Sequence, residues 1–472
     1  MRLATNPSSQ KETVVVAGAS GFIGSALPDV LGDDYELIGL SRTPDKARRE
    51  SGGSFYRWRS TDLFSRKQTF EALEGADRAI YLVHSLHPWA RLTQGEVGDL
   101  DLVCADNFAR AAAHHGLKHI IYVSSIVPDS DNTSPYLRSR LEVEEALKGY
   151  GTPVTTLRAA FVIGFGGSGT EVLRKLVDRL PVMALPRWAE SQFAPVARDD
   201  LIKVIAQLLP REANGSRSYD LEGPEVITFH QMLELVAEIT GRRRRFSTLP
   251  WSAPRLSAIW MSLWSGLPKW QVRPVIESFR TDLLAAGASL PENLWKPEIP
   301  PRRALRDALA PDAYRPVEET ALIQTERVND VRAVHRLALP KKRDARWLAA
   351  EYARWLPQYF RPLFYTRHIS DTELHLGTRL LPWPLLVLEL DEEISRDDRQ
   401  LFWIRRGLLA RSHKRGRLEF RAILDGSKAL AAIHDFHPKL PWFLYIPTQA
   451  RVHHIIMRAF NRHLQRLPED DG

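Results

Sequence analysis

One cysteine in 472 residues, Cys104, excludes an internal disulfide framework and fits a reducing compartment, the cytoplasm. Long apolar runs are also missing. The most lipid-like stretch, Leu256–Leu267 (LSAIWMSLWSGL), is about a dozen residues, short of the ~20 that a spanning helix needs. The first residues, MRLATNPSSQKE, have no apolar core of signal-peptide type. There is no P-loop, no nucleophile elbow and no internal repeat. His434, His437, His453 and His454 lie close in sequence but lack acidic or thiolate partners at ligand spacing, so no metal site is expected.

What is present describes a soluble globular protein, with 44% hydrophobic and 26% charged residues. The length exceeds one ordinary core, so two or three domains are expected. The net charge of +8 is spread over short basic runs, Arg242–Arg245, Lys341–Arg346 and Arg411–Arg417. Runs of that length read as solvated faces, and a nucleic-acid partner is not expected.

The most informative stretch is Thr13–Gly24, TVVVAGASGFIG. A β-branched run ends in glycines at 18, 21 and 24, and a helix-compatible segment begins at Ser25. Strand, glycine turn and helix start, in that order, are what a dinucleotide-binding turn requires. Gly18 lets the chain leave the strand sharply, Gly21 lacks the Cβ that would keep a pyrophosphate off the backbone, and Gly24 lets the helix pack closely. The helix N-terminus then offers free N–H groups to the phosphates. Gly18, Ser20, Gly21, Phe22, Ile23 and Gly24 are the candidate cofactor contacts.

A second strand, Tyr35–Leu40, ends in Ser41 and Arg42. NAD-selective sites place a carboxylate there for the ribose 2′-hydroxyl. A guanidinium instead suits a 2′-phosphate, so NADP is expected over NAD. Asp62 and Leu63 follow a third strand, where a carboxylate either accepts from the adenine amino group or caps the next helix. Strands at Ala79–Val83 and His119–Val123 end in His84 and Ser85 and in Ser124 and Ser125. Strands alternating with helices at this spacing give a doubly wound α/β fold with a parallel Rossmann sheet, whose ligands sit at the carboxyl ends of the strands. In Ser134–Glu142 (SPYLRSRLE), Ser134 is a predicted N-cap, and Tyr136 and Arg140 share a helix face.

These residues resemble an atypical short-chain dehydrogenase/reductase of the extended type. The resemblance is carried by GASGFIG, the basic residue closing the second strand, YVSS, Tyr-x-x-x-Arg where the family has Tyr-x-x-x-Lys, RAAFVIG (Arg158–Gly164) and PVARDD (Pro195–Asp200). More narrowly, YLVHS, SPYLRSRLEVEE and LPWFLYIPTQARVHHIIMRAF resemble bacterial proteins that join such a domain to a C-terminal domain of unknown function, DUF2867. The resemblance implies that Ser125 hydrogen-bonds a substrate carbonyl, Tyr136 gives or takes the proton, and Arg140 takes the place of the lysine that holds the ribose. Nearby cations lower a tyrosine pKa from ~10 by stabilising the phenolate. Arginine keeps the charge but cannot relay a proton. The expected function is an NADP(H)-dependent oxidoreductase acting on a carbonyl or alcohol of an apolar small molecule. The alternative is a non-catalytic NAD(P)H-binding sensor or structural protein.

Three regions are expected: a Rossmann domain at 13–246, a Trp- and Pro-rich helical connector at 247–315, and a C-terminal α+β domain at 316–472. Gly164–Gly169 reads as a loop over the substrate side, with Trp188 and Phe193 as candidate walls. The connector carries Trp251, Trp260, Trp264, Trp270 and Trp295 and reads as short helices packed across the first domain. In the last region, strand-like runs at His368–Leu376, Leu385–Leu390, Leu401–Arg406, Arg417–Leu424 and Ala429–Phe436 precede a long helix from about Gln449. Asp425-Gly426 is a hairpin signal. A sheet wrapped on a terminal helix resembles the helix-grip fold of START-like domains, which enclose an apolar cavity, with a plainly packed α+β core as the alternative. A small apolar substrate or lipid-like ligand is the expected partner, and peripheral membrane contact is the less favoured alternative.

Overall fold

A computed structural model describes residues 11–43, 55–83, 90–128, 133–250, 254–266, 272, 276–310, 328–411 and 415–467. Its first strands are β1 (Thr13–Ala17), β2 (Glu36–Ser41), β3 (Arg57–Ser60), β4 (Arg78–Tyr81), β5 (Ala90–Gln94), β6 (His119–Ser124) and β7 (Val154–Ala159). All of these except β5, together with Arg217–Leu221, form a seven-stranded sheet in the order Arg217–Leu221, β7, β6, β4, β1, β2, β3. Every pairing is parallel. Both faces are covered, which is why Val14–Val16 and Ile120–Tyr122 are unbroken buried runs rather than alternating ones. The strand order reverses beside β1, between β2 and β4, and this topological switch is where open α/β sheets bind ligands.

The chain divides into two compact units at 86/87, 100/101 and 321/322, so a short N-terminal segment belongs to the C-terminal unit. That segment contains β5, which pairs in parallel with Val328–Ala338. Neither strand was anticipated, and division of the chain into consecutive blocks at 246 and 315 does not describe this crossover.

The second unit holds an eight-stranded sheet, ordered Phe364–His368, Glu373–Thr378, Leu386–Leu390, Arg399–Arg406, Arg417–Ile423, Lys428–Phe436, Val328–Ala338, β5. Its pairings are antiparallel up to the last. The run expected as one strand from His368 is instead a hairpin. Ser370 Oγ accepts from the N–H groups of Thr372 and Glu373, and that turn reverses the chain. The hairpin at Asp425-Gly426 is present, with Leu424, Asp425 and Gly426 at φ of 51°, 53° and 79°. The helices Ala345–Tyr359 and Gln449–Leu464 meet one sheet face. Tyr352, Trp355, Phe420 and Phe460 fill that space, with ring centroids 5.1–5.4 Å apart. The opposite face carries Arg399, Arg421 and His434 around the buried Glu419.

In the first unit the connector is tied down by buried carboxylates. Asp200 Oδ2 accepts from the N–H groups of Glu298 and Ile299, and Asp220 Oδ2 from those of Ala286 and Gly287. Trp295 Nε1 donates to the Glu222 carbonyl, and Trp260 packs on the core. Trp264 is exposed, and Trp251 and Trp270 lie outside the described residues. Trp188 and Phe193 are core residues rather than pocket walls: the Trp188 ring lies tilted against Phe229 with centroids 5.3 Å apart, and the Phe193 and Phe279 ring centroids are 4.5 Å apart. Among the described residues no helix is long and apolar enough to cross a membrane.

Candidate cofactor and active site

β1 delivers the chain to Gly18, whose φ of +91° is a left-handed value that side chains disfavour. The turn closes by hydrogen bonds from Gly21 N–H to Gly18 O and from Ser25 N–H to Gly21 O, both 2.9 Å. A Cβ at Gly24 would stand 2.4 Å from Gly18 O, so this position admits only glycine. At Gly21 an added Cβ would meet only Gly18 O, at 3.1 Å, and the residue is exposed. The N–H groups of Phe22 and Ile23 find no acceptor among the described residues. An exposed turn with orphan donors and no side chain in the way fits a pyrophosphate.

The helix expected from Ser25 is much reduced. Gly24–Ala26 is a single 3-10 turn and Pro28–Leu31 a four-residue α-helix. Pro28 cannot donate to a continuous ladder, and the helix stops at Gly32. Individual N–H groups, not a long helix dipole, therefore face the ligand side. Tyr56, a residue missed in the sequence, fixes the turn from behind: its buried hydroxyl donates to Gly24 O at 2.8 Å. The Phe22 ring lies under the Arg198 guanidinium at 5.6 Å and against the Gly164–Gly169 loop, where a Cβ at Gly164 would come within 3.0 Å of it. Phe22 thus offers its backbone N–H to a ligand while its side chain anchors that loop.

Arg42 follows β2 directly and is exposed. Ser41 O accepts from Thr61 N–H, which draws the end of β2 to the Thr61–Leu63 turn. There, Asp62 Oδ1 accepts from Phe64 N–H at 3.2 Å and its N–H donates to Gln68 Oε1, so the carboxylate shapes the turn before the helix Arg66–Leu73. Leu63 is buried, and its carbonyl accepts from Thr69 Oγ1 and Asn107 Nδ2. Those contacts commit Asp62 Oδ1 and the Leu63 carbonyl to the protein itself. His84 and Ser85 lie outside the described residues.

β6 ends at Ser124, whose hydroxyl donates to Tyr122 OH at 3.3 Å, and Ser125 Oγ reaches Ala159 O at 3.5 Å. The helix Pro135–Lys148 then starts as the sequence predicts, with Ser134 Oγ accepting from Leu137 N–H and Pro135 in the first turn. Tyr136 and Arg140 share one face, with Arg140 Cζ 5.5 Å from the Tyr136 ring centroid. Arg140 is only 1% exposed. Its Nη2 donates to Asp101, an equally buried carboxylate on the helix Val97–His114. This corrects the picture of a guanidinium fork open to two ribose hydroxyls: the charge is internal and already paired.

Burial pushes the Tyr136 phenol above its ordinary pKa, with Arg140 pulling the other way, so the hydroxyl is protonated at neutral pH. Burial also opposes the Arg140 charge, but Asp101, Tyr122 and Tyr136 outweigh it and the net shift is upward. Behind the pair sit Tyr122, pushed up to about 12 by burial, and Tyr81, whose buried hydroxyl has no partner among the described residues. Asp101, Tyr81 and Tyr122 were missed in the sequence. The available signal was a carboxylate inside an otherwise apolar helix run, LDLVCA.

Comparison with known proteins bears on the first unit. Residues 14–214 match the NAD dependent epimerase/dehydratase family. The auxiliary protein GraX of Staphylococcus aureus is 34% identical over 151 residues, which are 32% of this chain and 45% of that protein. A (4-alkanoyl-5-oxo-2,5-dihydrofuran-3-yl)methyl phosphate reductase of Streptomyces griseus is 24% identical over 305 residues, 62% of this chain and 95% of that one. Among solved structures, a triphenylmethane reductase of Citrobacter sp. superposes with a TM-score of 0.49 at 18% identity, covering 63% of this chain and 99% of that chain. The turn, the strand order and the family match agree: residues 14–214 have a Rossmann fold and are similar to the NAD dependent epimerase/dehydratase family.

Proposed function

We propose that the chain is an NADP(H)-dependent oxidoreductase that reduces a carbonyl, or oxidises the matching alcohol, on an apolar small molecule. The observation that carries this reading is the Tyr136 phenol beside the buried Arg140 cation, on the helix that follows the carboxyl end of β6. A nicotinamide, when bound, would supply the hydride for the carbonyl carbon. Tyr136 holds the proton that the resulting alkoxide oxygen needs, and Ser125 offers a hydroxyl to the same oxygen. Arg140, held by Asp101, sets the electrostatics around the phenol rather than moving a proton. Arg42 favours the 2′-phosphate of NADP over the 2′-hydroxyl of NAD. The reductase activity for which the Streptomyces griseus relative is named supports the reaction class. A C-terminal unit of START-like, DUF2867 type would bind the apolar ligand.

One observation favours a second reading. The Arg140 guanidinium is buried and paired, so a ribose contact must come from elsewhere, and a chain that binds NADPH as a sensor needs no proton donor. The discriminating experiment measures NADPH oxidation by the full chain over a panel of apolar carbonyl compounds, before and after Tyr136→Phe. The proposal expects turnover in the parent and a loss of about 100-fold or more in the variant, with NADPH affinity kept. Unchanged turnover in the variant rejects the role of Tyr136. Tight NADPH binding with no turnover on any compound supports the sensor.

A further inference from the structure

The antiparallel sheet of the second unit has two ends of different chemistry. Its strands alternate in direction, so the segments 361–363, 379–385, 407–411 and 437–446 gather at one end. Hydrogen bonds fix this gathering: Arg379 N–H donates to Leu363 O, Leu408 N–H to Pro384 O, and Lys439 N–H to Leu409 O, at 3.0–3.1 Å. This end exposes large apolar side chains, with Leu380 at 76%, Phe443 at 75% and Trp383 at 63%, and also Leu363, Leu444 and Ile446. Among them stand Arg361, Arg379, Arg406, Arg411 and Lys439, all exposed. These segments contain no Asp or Glu. The opposite end is mixed in charge, with Asp371, Asp391, Glu392, Glu393, Asp397 and Asp398 beside Lys341, Lys342, Arg343, Arg346, Arg396 and Lys428.

We propose that the basic, apolar end of the second unit docks the protein on an anionic lipid surface. Exposed Trp, Phe and Leu beside Arg and Lys is the composition of an interfacial anchor. The apolar groups enter the boundary between headgroups and acyl chains, and the cations meet lipid phosphates. A water-facing surface has no use for so many neighbouring large apolar groups. A single-sign charge around them argues for an oppositely charged partner. The inference is independent of the chemistry proposed for the first unit.

Vesicle flotation of the full chain tests it, with phosphatidylcholine alone and with phosphatidylcholine mixed with phosphatidylserine. The chain floats with the mixed vesicles, not with phosphatidylcholine alone, and high salt releases it. Leu380→Asp with Trp383→Asp and Phe443→Asp abolishes flotation, and Arg379→Glu with Lys439→Glu lowers binding about tenfold or more. Ile394→Asp, at the opposite end, leaves it unchanged. The side chains altered are exposed, and an unshifted thermal melt checks that each variant folds. No flotation of the parent with mixed vesicles overturns the proposal. So does a parent that fails to float but is a dimer by light scattering and becomes monomeric with the triple substitution, which assigns the face to a second copy of the chain.

Discussion

The two sheets use their strand ends in opposite ways. In the parallel sheet every strand points the same way, so the glycine turn, Arg42, Ser125 and the helix bearing Tyr136 gather at one edge, backed by charge that is buried and paired. In the antiparallel sheet the ends alternate, and among the described residues one of them exposes apolar and basic side chains. Substitutions in the first setting should therefore cost folding energy or chemistry, because each group has partners that lose something. Substitutions at the second should leave stability intact and change only what the surface meets.

The largest effect expected is at Asp101. Asp101→Asn leaves the Arg140 charge buried without its counter-charge, and urea unfolding should show a loss of about 3–5 kcal/mol. A loss under about 1 kcal/mol would mean that the pair is solvated and the contrast between the two regions is overdrawn.

Acidification comes next and acts on the second unit. Burial lowers the pKa of His335 and His434 to about 4 and that of His453 to about 3, with Glu419 opposing the shift at His434 and neighbouring histidines adding to it at the other two. Each stays neutral when folded but takes a proton below about 6.5 when unfolded. Their stabilisation is thus complete above about pH 6.5 and falls as the pH drops towards 4. The expected loss is about 2 kcal/mol per histidine by about pH 5, and replacing His335 with Phe should flatten that part of the profile. A pH profile from urea melts that does not respond to this substitution would contradict it.

Gly24→Ala is smaller in stability, about 1–3 kcal/mol from the clash with Gly18 O, but should remove NADPH binding with it. Smallest of all is Trp383→Asp, which should move the urea midpoint by no more than about 0.5 kcal/mol of stability while weakening attachment to anionic vesicles. A large destabilisation there would show that the apolar end is part of a packed core.

How much of this could be read from the residues depends on how local its cause is. The parallel sheet was legible because buried strands are written as unbroken β-branched runs, and the glycine turn because its spacing answers to backbone geometry at Gly18 and Gly24. The helix start at Ser134-Pro135 and the last helix from Gln449 were legible as caps and periodicity. Contacts between distant residues were not. Nothing local in LDLVCA says that Asp101 will pair with Arg140, nor that Tyr56 will close on Gly24 O, thirty-two positions away. The crossover of β5 into the second sheet is invisible for the same reason: a short strand of ordinary composition does not announce which sheet it joins. Motifs carrying a family resemblance also held structural residues. Arg158 pairs with Glu144 and Asp200 holds the peptides of 298 and 299, so neither faces a ligand through those groups.

The account rests most directly on the cofactor. Equilibrium titration of the full chain with NADPH and with NADH, for the parent and for Arg42→Ala, is the decisive measurement. The account predicts saturable binding of NADPH, about tenfold or more tighter than NADH, with most of that preference lost in the variant as one charge-assisted contact is removed. Equal affinities in the parent would contradict the assignment of NADP, and no binding of either dinucleotide would contradict the site itself.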